Sequence, residues 1–120
     1  MERDRLIYAR SKLGGAIWKL ATGIGEIKSR LSDAYIELAI IQDGDLPEDL
    51  SEEWKMIKRD LTNGKMKYRA DIKDGKIVEV PVGRLASTLR YMRKKKAEDI
   101  AIRICLLKSK VDNYMDGLDE

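Results

Sequence analysis

The chain has 120 residues, room for one domain, and is 43% apolar and 38% charged with a net charge of only +3. That apolar content argues against wholesale disorder, and the composition excludes collagen-like and low-complexity classes. With no His and a single Cys, a Ser-His-Asp triad, a Cys-His pair, an HExxH zinc site and a disulfide framework are all excluded.

The first third carries the strongest pattern. Leu6, Arg10, Leu13, Ile17, Leu20, Ile24, Ile27, Leu31, Ala34, Leu38 and Ile41 follow one another in steps of four and three, a heptad broken chemically only by Arg10. The spacing predicts one long helix over about 3–41. Gly14, Gly15, Gly23 and Gly25 oppose it, each costing up to about 1 kcal/mol relative to Ala. Either these small residues let another helix approach, or the helix bends or breaks near 22–25. Residues 34–41 are apolar nearly all round and need cover on more than one side.

Gly44 and Pro47 stop that pattern within a tract, 43–53, that holds six acidic residues and no basic one. A short helix over about 48–62 follows, capped by Asp49 or Ser51 and closed by Asn63 and Gly64, with Leu50, Trp54, Ile57 and Leu61 as its stripe. Trp54 is read as a core anchor. Trp18, one residue off the main seam, faces another helix or a partner chain.

Period-two alternation on either side of Asp74-Gly75 predicts a β-hairpin over 66–82, with an ordered loop as the competing reading. A two-stranded hairpin is marginal alone and must lean on helices or on a partner. A second long helix is expected over about 83–116. Its repeat, Leu85, Leu89 and Met92, then Ala97, Ile100, Ile104, Leu107, Val111, Tyr114 and Leu118, slips by one residue at 93–96, which calls for altered winding or a kink.

The expected architecture is mainly α and a single domain over 1–120. A long antiparallel helical hairpin is crossed by a short helix, with a small β-hairpin before the last helix. A straight helix over 3–41 would be about 58 Å long, whereas a compact chain of this size has a radius of gyration of about 14 Å. The helix therefore bends at the glycines, or the molecule is elongated and a second chain covers its seam. Trp18, Tyr35, Ile36, Leu38 and Ile40 are the candidate residues of such an oligomer interface.

Chemical motifs are scarce. Residues 22–29 (TGIGEIKS) fail both phosphate-loop templates, and the acidic tract lacks the spacing of a calcium loop. Cys105 reads as a buried or half-buried hydrophobe with no His to activate it. No catalytic, metal or cofactor site is expected. Between Lys65 and Lys96, eleven basic residues face three acidic ones. Arg84, Arg90, Arg93, Lys94 and Lys95 are candidate nucleic-acid contacts, with Tyr68 and Tyr91 as stacking residues. Four consecutive cations on a helix point in all directions, however, and the acidic tract could neutralise part of the basic surface. The leading expectation is a non-enzymatic interaction protein acting as a homodimer. The alternative is a small nucleic-acid-binding accessory protein using 65–96. Without a signal-peptide core or an apolar run of membrane-spanning length, the expected setting is cytoplasmic, away from membranes.

Overall fold

A computed structural model describes residues 3–64 and 67–118. It is mainly α. In chain order come α1 (Arg3–Thr22), α2 (Ile27–Leu38), a single 3-10 turn (Asp43–Asp45), α3 (Glu48–Thr62), β1 (Lys67–Lys73), β2 (Lys76–Val82), α4 (Arg84–Tyr91) and α5 (Lys94–Leu118). Lys65 and Met66, where the basic region and the hairpin were expected to begin, lie outside the described residues.

The helix expected over 3–41 is two helices folded back on each other. Lys12 meets Glu37 at 3.5 Å, Arg30 reaches the Leu20 carbonyl at 2.8 Å and Arg5 meets Asp45 at 3.0 Å. Each pair of numbers sums to about 50, the mark of an antiparallel pair. The two glycines of the turn explain the break. Gly25 has φ +99°, a conformation that L side chains rarely adopt. At Gly23 a Cβ would lie 2.6 Å from the Lys19 carbonyl oxygen and 2.8 Å from Arg30 Cγ. The heptad runs through this turn because Leu20 and Ile27, on facing helices, are both buried. Ile24, its apolar member inside the turn, is 92% exposed. Periodicity reports which residues share a face, and it is blind to whether the helix axis continues.

The last helix is also divided. Met92 is extended (φ −75°, ψ 138°) between α4 and α5, so the slipped seam marks a break. Here α4 buries Leu89, and α5 buries Ala97, Ile100, Ile104, Leu107, Val111 and Met115. α5 packs against α1, α2 and α3. Its contacts with α1 (Arg10 with Asp112 at 3.5 Å, Gly14 beside Lys108) and with α3 (Glu53 with Lys110, Asp60 with Arg103) pair low numbers with high, so both neighbours run antiparallel to it. The core is one continuous cluster in which Trp54 is fully buried, as its stripe predicts. Trp54 Nε1 donates to the Ile41 carbonyl at 3.3 Å, tying α3 to the end of α2.

Pro47, and neither Asp49 nor Ser51, occupies the N-cap of α3. Ser51 is instead buried, its hydroxyl donating to the Asp43 carbonyl at 2.8 Å.

The β-hairpin forms in the register Ile72 with Ile77 and Lys73 with Lys76. Positive φ at both Asp74 (54°) and Gly75 (75°) is the signature of a type I′ turn. At its base the Gly64 N–H donates to Thr88 Oγ1 at 2.7 Å, and that hydroxyl donates to the Arg84 carbonyl at 2.6 Å. The end of α3 and the start of α4 are thereby clamped, and the strands project as an arm. Near its tip Ile72 is 74% and Ile77 81% exposed. The molecule measures 65 × 26 × 21 Å. A 25-residue helix supplies about 37 Å and seven-residue strands about 23 Å, so the bundle with its arm accounts for the length.

Two substitutions test this arrangement. Gly25→Ala should lower unfolding free energy by about 1 kcal/mol, because Ala is strained at positive φ; urea denaturation measures it. Leu38 is fully buried within its own chain. Leu38→Asp should therefore abolish the cooperative melt in circular dichroism rather than release folded subunits.

Candidate interaction surface

The residues expected to form an interface do not converge. Leu38 belongs to the core of the single chain, so it is removed from any interface. Tyr35 is half-buried against that core, and burial raises its pKa. Ile36 and Ile40 are exposed on and just beyond the end of α2. Trp18 is 68% exposed near the opposite end of the α1–α2 pair. The near-continuous apolarity of 34–41 resolves into a buried side (Ala34, Leu38, Ile41) and an open one.

A broader apolar surface lies on α5. Ile102 and Leu106 are 56% and 55% exposed, one helical turn apart, and Cys105 beside them is exposed rather than buried. Two shallow hollows flank this ridge. One, about 340 Å³, is walled by Ile17, Leu20, Ala21 and Ile27 from α1 and α2. The other, about 250 Å³, is walled by Met56 and Ile57 of α3. Leu106 lines both. A signal for this surface is present in the sequence: 100–107 contains one charge, Arg103, and is apolar on every other side. The repeat 97, 100, 104, 107, 111 accounts for one face only.

Arg30 closes the first hollow. Its Nη1 donates to the last-turn Leu20 carbonyl at 2.8 Å, where a cation also suits the helix dipole. Its Nε is buried without a partner, a cost that the close packing of α1 and α2 over the turn has to offset.

The candidate nucleic-acid contacts, Arg84, Arg90, Arg93, Lys94 and Lys95, are all exposed around the α4–α5 elbow. Lys94 lies 4.0 Å from Glu98, and Arg90 sits over the Tyr91 ring, 5.7 Å from its centroid. The acidic tract turns elsewhere: Asp45 pairs with Arg5, Asp43 and Glu52 with Lys55, and Glu53 with Lys110. It does not neutralise the basic run through these pairs. That role falls in part to Asp60 on α3, which holds Arg103 at 2.7 Å and Lys96 at 3.6 Å. Burial alone would raise the Asp60 pKa. The Arg103 hydrogen bond and the charges of Lys96, Arg103 and Arg59 outweigh burial and hold the carboxyl below its ordinary value. Beside Asp60 and Lys96, an open hollow of about 400 Å³ is lined by Asn63, Gly64, Ser87, Thr88, Tyr91 and Met92.

Among the described residues, no group of three His, Cys, Asp or Glu side chains is placed to hold a metal ion. None of their helices is long and apolar enough to cross a membrane. No protein family, curated protein or solved structure matches the chain.

Asp60→Asn should cost about 1–2 kcal/mol at neutral pH through the lost charge-assisted bond. The native carboxyl has a lowered pKa, so its contribution is complete above the unfolded-state value near 4 and is lost as pH falls through the native one. The gap in melting temperature between wild type and Asp60→Asn should therefore be constant above about pH 5 and close on further acidification.

Proposed function

We propose that the protein acts without catalysis, by protein–protein interaction, and that its working form is a homodimer joined through helical surfaces. The observation that carries this reading is the apolar ridge of Ile102 and Leu106, exposed between one hollow walled mainly by apolar side chains and another in which Met56 and Ile57 are joined by Glu53, Arg103 and Lys110. Contiguous apolar surface of this kind, rimmed by charge, marks interaction sites on soluble proteins. Two other grounds for a dimer fall away, since the long helix folds back on itself and Leu38 is covered by its own chain. Trp18, Ile36 and Ile40 remain exposed as secondary contacts. Light scattering or sedimentation at about 10 µM and over serial dilution is the test. A mass of two chains that falls to one on dilution is the expected outcome, and a single-chain mass throughout overturns the reading.

A second reading has one observation in its favour: Arg84, Arg90, Arg93, Lys94 and Lys95 are all exposed, from the start of α4 to the α4–α5 elbow, where they could neutralise a phosphate backbone. Such contacts make affinity fall with a log–log salt slope of about −0.9 per neutralised phosphate. Fluorescence anisotropy with duplex and single-stranded oligonucleotides should show only weak binding, lost by about 0.15 M salt. Tight binding at that salt, removed by charge reversal at Arg93 and Lys95, favours this reading instead.

A further inference from the structure

The outward face of α5 has a charge pattern that is complementary to itself when reversed. The buried stripe of Ala97, Ile100, Ile104, Leu107 and Val111 defines the inner side of the helix. At about 100° per residue, the opposite side is centred on Ile102 and Leu106, with Lys95, Asp99, Lys110 and Asn113 within about 60° of them. All six are exposed. Read along the helix, this face runs basic at Lys95, acidic at Glu98 and Asp99, apolar at Ile102 and Leu106, basic at Lys110 and acidic at Asp116.

Resting on the homodimer reading, we infer that the second copy packs on this face, α5 against α5 in antiparallel orientation about a twofold axis level with Ile104. The charge order selects the orientation. With the axis at that level, facing residues have numbers summing to about 208. Ile102 then lies across from Leu106 of the second copy, Asp99 across from Lys110, and Lys95 across from Asn113. The acidic pair Glu98 and Asp99 meets Lys110, Lys95 meets the neutral Asn113, and the apolar block meets itself. A parallel pair would set each block against its like, which is strongly disfavoured. An isologous contact of this kind uses one patch twice and closes, so it leads to dimers rather than fibres. Two of these charges have no competing role within the chain: Asp99 and Lys95 form no ion pair with another described residue. Lys110 reaches Glu53 at 2.5 Å and is 52% exposed, so it remains accessible at the rim. Met56, exposed beside Leu106, extends the apolar patch onto α3.

Charge exchange tests the seam directly. Asp99 and Lys110 are eleven residues apart on one straight helix, about 16 Å along its axis, so they cannot pair within a chain. Asp99→Lys and Lys110→Asp should each raise the dimer dissociation constant by about tenfold or more. The double variant should return to within about threefold of wild type, because the reversed pair again has opposite signs. The Lys110–Glu53 contact stays broken in the double variant, so rescue reports the interface alone. Leu106→Asp should leave the circular dichroism spectrum unchanged, since Leu106 is half exposed, and should give single-chain mass. Cys105, one residue from the axis level, would lie on the same side of the seam as its copy. A short bis-maleimide should then link wild-type dimers covalently, and Cys105→Ser should prevent it. A dimer indifferent to Leu106→Asp and to both charge variants would overturn this seam while leaving self-association intact. Charge variants that weaken the dimer singly without rescue in combination would overturn the antiparallel register. A wild-type chain that stays single at tens of micromolar would overturn both this inference and the reading on which it rests.

Discussion

The inner stripe of α5 is the constraint on which the rest of the structure depends. With 38% of residues charged, the chain has few apolar side chains to spare, and the bundle closes only if one helix is shared by several neighbours. Ile100, Ile104, Leu107 and Val111 are fully buried, and α5 meets α1, α2 and α3. Each such side chain is worth about 1.5–3 kcal/mol when fully buried, a sizeable share of the about 5–15 kcal/mol of net stability typical of a domain.

Around that stripe, a few polar contacts set where the chain reverses. Arg30 holds the end of α1 through the Leu20 carbonyl. Asp45 accepts from the Gln42 N–H and from Arg5, fixing the turn beyond α2 against the start of α1. The indole of Trp54 and the hydroxyl of Ser51 bind the carbonyls of Ile41 and Asp43, seating α3 under the same turn. Thr88 joins Gly64 to the start of α4. Apart from the Arg5–Asp45 pair, these contacts engage backbone groups at helix ends and turns, so the turns are specified as well as permitted. Arg30 Nε is the exception, buried without a partner where α1, α2 and α5 meet.

The proposed self-association would place a further demand on the same helix. If α5 serves the core with one face and a second copy with the other, the dense apolar run of 100–107 needs no separate explanation. The arm is left outside that arrangement. Its exposed Ile72 and Ile77 stand at the far end of a molecule 65 Å long, away from the ridge.

How much of this was legible in the sequence depends on the range of the signal. The sequence by itself determined the mainly α class and the short helix over 48–62, because a local apolar period and its flanking stop residues suffice for both. It also determined the hairpin turn at Asp74-Gly75, where the backbone demands residues that tolerate positive φ. Most of the buried faces were legible too, from Leu6 and Leu13 to Ile104 and Val111, but Ile24, Tyr114 and Leu118 of the expected seams are exposed and Met115 is buried instead. Only the tertiary structure decided that residues 3–41 fold back at Gly23 and Gly25, since a heptad keeps its phase across a turn whose two helices bury the same seam. The same holds at Met92, where a one-residue slip is compatible with a kink or with a full break until the neighbouring helices choose. Exposure was decided there as well. Leu38 is covered and Cys105 is open because α1, α2 and α3 crowd one side of the bundle and leave the back of α5 bare. Burial is a property of the neighbours a residue meets, and those neighbours are distant in the chain.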